Sequence, residues 1–113
     1  MLRRGVLVGA LILSVVAGGT PARSADPPEI PLTIENHRFI PEEITVTADT
    51  SFVLVITNKD ATPEEFESHD LRIEKVIPAG KALRLRMPAL KKGTYNFIGD
   101  FNQSTAKGRI IAE

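Results

Sequence analysis

Residues 90–95 read Leu-Lys-Lys-Gly-Thr-Tyr, and this stretch says most about the fold. It has the Leu-x-x-Gly-x-Tyr pattern of a tyrosine corner, in which the phenol hydroxyl hydrogen-bonds to the backbone of the connection before it. Tyrosine corners belong to Greek-key β-sandwiches, at the start of the penultimate strand. The pattern therefore predicts such a sandwich, with an ordinary core tyrosine at Tyr95 as the alternative.

Short segments with strand periodicity lie on both sides of this corner. Residues 82–87 alternate apolar side chains with Arg84 and Arg86, and residues 52–56 are apolar on both faces, which is typical of a central strand. Turn residues separate the segments, and no long helical pattern intervenes. The sequence predicts an all-β fold, an antiparallel Greek-key sandwich of about seven strands. The predicted strands are 32–34, 44–48, 52–56, 66–73, 82–87, 94–98 and 108–112.

The first 24 residues have the layout of a secretory signal peptide. Arg3 and Arg4 precede an apolar run over residues 5–17, and small residues come before Ala25. Because that run is short for a membrane span, an uncleaved anchor is the second interpretation. We therefore expect export to the periplasm. The predicted organisation is a signal peptide over 1–24, a proline-rich tether over 25–31 and one domain over 32–113.

Composition excludes several classes of function. The 113 residues include no cysteine, which excludes a disulfide framework, a thiol nucleophile and a thiolate metal site. The chain carries 14 basic and 14 acidic side chains, so no basic surplus points to a nucleic-acid partner. Cleavage after residue 24 would remove three arginines and no acid, leaving 11 basic and 14 acidic side chains and a net charge of −3.

Four motifs follow one another along the chain, at residues 39–46, 52–58, 77–80 and 93–97. Their order is similar to that of the cupredoxins. Residues 32–113 therefore resemble the cupredoxin superfamily over essentially their whole length. Within it, the segments 62–68 and 99–108 are similar to EfeO-type proteins, which are periplasmic cupredoxin-like partners of iron permeases.

The same resemblance argues against a blue copper site. A type 1 centre uses two imidazoles and a thiolate, usually with a weak axial thioether. The resemblance places the thiolate at Gly99, one imidazole at Asn102 and the other near Glu64 or Glu65, and no methionine follows. None of these residues is a classical ligand, so we expect no type 1 copper centre.

Acidic residues and one histidine are the candidates for a different metal site. In a cupredoxin sandwich the ligand loops meet at one end, and carboxylates with an imidazole suit iron, manganese or copper(II). Glu65 is the position that the EfeO-type resemblance identifies as a ligand. The alternative without a metal is a solvated acidic loop and a surface histidine. The candidate metal ligands are His37, Glu64, Glu65, Glu67 and Asp100.

The sequence supports three competing hypotheses of function. The first is a periplasmic metal-binding accessory protein that takes part in iron or copper uptake beside a membrane permease. The second is a metal-free β-sandwich that binds another periplasmic protein, for which Arg84 and Arg86 offer a docking patch or, more simply, a charged strand that resists aggregation. The third is a ferrous-iron oxidase. Because no catalytic constellation is recognisable, an enzyme is the least supported of the three.

Overall fold

The computed structural model describes residues 26–113, which form nine strands and one 3₁₀ turn, η1. Strand and turn bounds are β1 (Glu29–Glu35), β2 (Arg38–Ile40), β3 (Glu43–Val46), β4 (Phe52–Asn58), β5 (Glu64–Ser68), β6 (Ile73–Ile77), β7 (Ala82–Met87), β8 (Gly93–Gly99), η1 (Asp100–Asn102) and β9 (Lys107–Ala112). Among these residues, no helix has the length and apolar character that crossing a membrane requires. The predicted all-β class is confirmed.

The strands form a four-stranded and a five-stranded sheet. The four-stranded sheet has the order β2-β1-β4-β7, and the five-stranded sheet has the order β3-β9-β8-β5-β6. β4 lies between β1 and β7, and most of its residues are buried on both faces, as its uninterrupted apolar sequence predicts. β5 lies between β6 and β8, next to the segment that follows β8.

One hydrophobic core is enclosed by the two sheets. Its aromatic centre consists of Phe39, Phe66 and Phe97, each at most 1% exposed. Their ring centroids are 4.9–6.1 Å apart, and Phe39 meets the other two edge to face. Burying one such side chain contributes about 1.5–3 kcal/mol. Because Phe66 points into this core, its neighbours Glu65 and Glu67 point out of the sandwich.

The tyrosine corner is present. Tyr95 lies near the start of β8, the penultimate strand. Its hydroxyl donates a hydrogen bond to the carbonyl of Lys91 at 2.8 Å. That bond fixes the connection leading into β8.

The predicted strand arrangement needs three corrections, the first being that nine strands form and not about seven. The sheets are mixed, since β1 pairs with β4 and β3 pairs with β9 in parallel. Alternation shows which face a residue occupies but carries no information on strand direction. The predicted strand over 66–73 is also wrong: residues 69–72 form a turn in which Arg72 has a positive φ of 56°, and β6 begins only at Ile73.

The N-terminal boundary differs from the expected tether. Residues 29–31 form the first part of β1, paired with Val53–Val55 of β4. Proline is tolerated there because β2 pairs only with residues 33–35, so Pro31 has a partner strand on one side alone. The predicted tether over 25–31 is therefore wrong for its last three residues. The predicted signal peptide over 1–24 lies outside the described residues.

Candidate metal site

The outward face of β5 gathers acidic side chains from three elements. Glu65 and Glu67 lie two residues apart on β5, on either side of the buried Phe66. Glu74 of β6 is directly opposite Glu67 in the antiparallel register. Asp100 immediately follows Gly99, which pairs with Phe66. The pairing of β5 with both neighbours therefore brings four carboxylates to one surface.

Three of these carboxylates converge. Glu65, Glu67 and Asp100 each offer an oxygen, and these three atoms all lie within 4.8 Å of one another. Backbone positions two residues apart on a strand are about 7 Å apart, so the two β5 side chains must lean together to reach this distance. The predicted residues Glu65, Glu67 and Asp100 thus form one cluster, which we call the carboxylate cluster.

Glu65 carries the unusual feature of the cluster. Its Oε1 atom is out of contact with solvent and has no hydrogen-bond partner among the described residues. Buried carboxylate oxygens are normally satisfied by a donor, a proton or a cation, because leaving them without one is costly. An ionised Glu65 therefore lacks a partner that a bound cation would supply.

The carboxylates also raise one another's proton affinity. The pKa of Glu65 is raised from 4.5 to about 7, first because its protonated form hydrogen-bonds to Glu74, then because of burial and the nearby negative charges. The pKa of Glu67 is raised as well, chiefly by burial and then by a hydrogen bond with Asp100, while His69 opposes the shift. Binding a proton or a multivalent cation is therefore more favourable here than keeping all of these carboxylates ionised without a partner.

Glu64 has a different environment from its neighbour. It is 1% exposed, and its carboxylate accepts hydrogen bonds from the backbone of Glu65 and Phe101 and from the side chain of Asn102. Both of its oxygens are engaged inside the protein. The structure therefore does not bring Glu64 into the carboxylate cluster.

His37 belongs to another contact. It lies in the turn between β1 and β2, and its Nδ1 is 3.6 Å from a carboxylate oxygen of Asp60. The same carboxylate accepts hydrogen bonds from the backbone of Asn36 and His37, which both have positive φ. His37 is therefore held by Asp60 and is not among the converging residues.

Glu74 is the acidic residue that the sequence did not single out. Its place opposite Glu67 depends on the register between β5 and β6. The sequence predicts a single strand over 66–73, across this hairpin, and that register cannot be inferred from a single strand. The polar turn around residues 69–72 was the available signal.

Comparison with known proteins establishes the family. Residues 7–112 match the model of the cupredoxin-like domain family. The chain belongs to the cupredoxin-like domain family. It is 43% identical over 83 residues to an uncharacterized protein of Rickettsia prowazekii (strain Madrid E), a match that covers 74% of this chain and 66%, just under two thirds, of that protein.

Solved cupredoxin structures share its fold. Auracyanin A, a blue copper protein from Chloroflexus aurantiacus, matches with a TM-score of 0.67 at 14% identity, over 78% of this chain and all of that protein. The metal-binding domain of the Streptococcus pneumoniae D39 Cu(I)-exporting ATPase CopA, solved with Cu(I), also gives 0.67 at 14% identity, over 75% and 84%. Amicyanin from Paracoccus versutus gives 0.61 at 13% identity, over 80% and 86%.

The residues of this cupredoxin-like chain do not fit a type 1 copper ion. The chain has no cysteine to supply the thiolate. At the positions that the resemblance assigns to copper ligands, Asn102 donates to Glu64 at 2.6 Å, and Gly99 offers no side chain. The prediction of no type 1 centre agrees with this donor set.

Proposed function

We propose that this protein is an exported cupredoxin-like metal-binding protein that binds a hard multivalent cation at the carboxylate cluster. The observation that carries the proposal is the convergence of Glu65, Glu67 and Asp100 around a buried, unpartnered oxygen of Glu65. Carboxylate oxygens at this spacing suit iron, manganese or copper(II) better than copper(I), which prefers sulfur ligands. Glu74 adds a fourth negative charge beside them.

We further propose that the bound ion is cargo, handed on in iron or copper uptake to a membrane permease. Support for this step comes from the signal-peptide pattern over 1–24, which implies the periplasm, and from the resemblance of residues 62–68 and 99–108 to EfeO-type proteins. The cluster lies on the outward face of β5, where Glu65 and Glu67 are half-buried, so an ion held there lies within reach of a partner.

The alternative hypothesis, a metal-free β-sandwich that binds another protein through Arg84 and Arg86 of β7, has less support. Arg84 forms an ion pair with Glu29 at 2.5 Å, so the predicted basic patch is partly neutralised by its neighbour in the same sheet. Exposed pairs of this kind are typical of a soluble β-sheet surface.

Metal titration of the purified protein tests the proposal. We expect one Mn²⁺, Fe²⁺ or Cu²⁺ ion per chain in the wild type, and at least about ten-fold weaker binding in Glu65→Gln, which removes a ligand charge while keeping the size. The control is Glu42→Gln, the same change at an exposed residue of another strand connection. Absence of binding in the wild type, or equal affinity in Glu65→Gln and Glu42→Gln, would refute the site.

A further inference from the structure

We propose that Glu64 is the positioning residue of the cation site: its buried carboxylate connects β5 to η1 and holds Asp100 beside Glu65. This inference rests on the proposed function for its metal-binding part. Its structural part, the attachment of η1 to β5, stands independently.

The contacts join the two elements directly. Oε1 of Glu64 accepts hydrogen bonds from the backbone of Phe101 at 2.9 Å and of Glu65 at 3.0 Å. Oε2 accepts one from Nδ2 of Asn102 at 2.6 Å. Phe101 and Asn102 belong to η1, and the acceptor belongs to β5. One side chain therefore fixes the segment after β8 at two successive residues.

The protein leaves space for this carboxylate at Gly99. A Cβ atom on Gly99 would lie 2.7 Å from Cδ of Glu64 and 2.6 Å from Cβ of Ala106, closer than side chains can approach. The backbone of Gly99 is ordinary and extended, with φ of −91°, so space and not conformation requires glycine here. Gly99 and Glu64 are thus complementary: the missing side chain of one makes room for the other.

The carboxylate of Glu64 suits its partners. All three neighbours are N–H donors, and an ionised carboxylate has acceptor sites for each of them. Glutamine has the same shape but only one acceptor oxygen, so its amide nitrogen would face a donor. The substitution Glu64→Gln should therefore weaken the hydrogen bonds between β5 and η1 while side-chain volume stays nearly the same.

Glu64 affects the cation site through the two sequence neighbours of Asp100. Asp100 lies between Gly99, packed against Glu64, and Phe101, hydrogen-bonded to Glu64. Both neighbours of Asp100 are fixed, so its carboxylate is held where it meets Glu65 and Glu67. Residues that orient a ligand in this way commonly change metal affinity by 10–100-fold when they are mutated.

Amide hydrogen exchange tests the attachment without any metal. In metal-free wild-type protein kept in a chelator, we expect the Phe101 amide to be protected. Glu64→Gln should speed its exchange about ten-fold or more, and Glu42→Gln, the same change at an exposed acid outside the cluster, should leave it unchanged. An unprotected Phe101 amide in the wild type, or equal exchange in all three proteins, overturns the attachment.

Mn²⁺ titration tests positioning. We expect Glu64→Gln to weaken Mn²⁺ binding about ten-fold or more, and to add little in an Asp100→Asn background, because Glu64 acts through Asp100. Unchanged affinity, or an equal loss in both backgrounds, overturns positioning. If wild-type protein binds no cation, the proposed function fails, while hydrogen exchange still decides the attachment. Should Glu64→Gln not fold, Asn102→Ala, which keeps the carboxylate, takes its place in both measurements with the same expected direction.

Discussion

Two adjacent glutamates of β5 have opposite roles. Glu64 points inward, is 1% exposed and is satisfied by three N–H donors. Glu65 points outward, yet one of its oxygens is buried without a partner beside other carboxylates. The difference teaches that burial alone does not identify a ligand-binding acid. What distinguishes the two is whether the protein itself supplies the donors.

Truncating each glutamate gives the sharpest test of this contrast. Glu64→Ala leaves the Phe101 amide and the Asn102 side chain without their acceptor, so we expect a loss of about 3 kcal/mol in the free energy of unfolding. Glu65→Ala removes mutual repulsion and should stay within about 0.5 kcal/mol of the wild type or be more stable. Urea unfolding of metal-free protein measures both. Similar losses in the two variants would contradict the assigned roles.

Filling the space at Gly99 should have the next largest effect. Gly99→Ala forces Glu64 or Ala106 to move, and overpacking of this kind costs about 1–3 kcal/mol. Gly80→Ala is the matched control: no atom lies within 4 Å of its Cβ position, and its φ of +70° alone makes it costly. Both variants should unfold at lower urea concentration. Only Gly99→Ala should also speed exchange of the Phe101 amide, and equal exchange in the two would argue against the packing of Gly99 on Glu64.

The smallest expected effect is a pH dependence at Glu65. Its pKa is raised from 4.5 to about 7, so the folded protein binds this proton more tightly than the unfolded chain. The stabilisation is therefore complete below pH 4.5 and is lost as pH rises through about 7. Glu67, whose pKa is raised chiefly by burial, contributes in the same direction.

The difference in unfolding free energy between wild type and Glu65→Gln would measure this dependence. The wild type should lose stability relative to the variant from pH 5 to pH 8, and Mn²⁺ at pH 8 should restore it, because a cation replaces the proton. A difference that is constant with pH would show that Glu65 has an ordinary environment.

Much of the fold could be predicted because it depends on local pattern. The uninterrupted apolar sequence of β4 indicated a central strand, and the spacing from Leu90 to Tyr95 indicated the hydrogen bond to Lys91. The parallel pairings and the turn over 69–72 could not be predicted, since alternation specifies faces and not partners or directions. The position of Glu74 was missed for the same reason.

By itself, the sequence determined the all-β class, the outward direction of Glu65 and Glu67 around Phe66, and the lack of a type 1 copper donor set. Tertiary structure alone decided that Asp100 meets those two glutamates, that His37 binds Asp60 and that Glu64 is satisfied inside the protein. The physical reason is distance along the chain. Strand periodicity is set by neighbouring residues. The partner of a carboxylate is set by segments that are distant in the sequence, as in the contacts of Glu64 with η1, which join residues 37 and 38 positions apart.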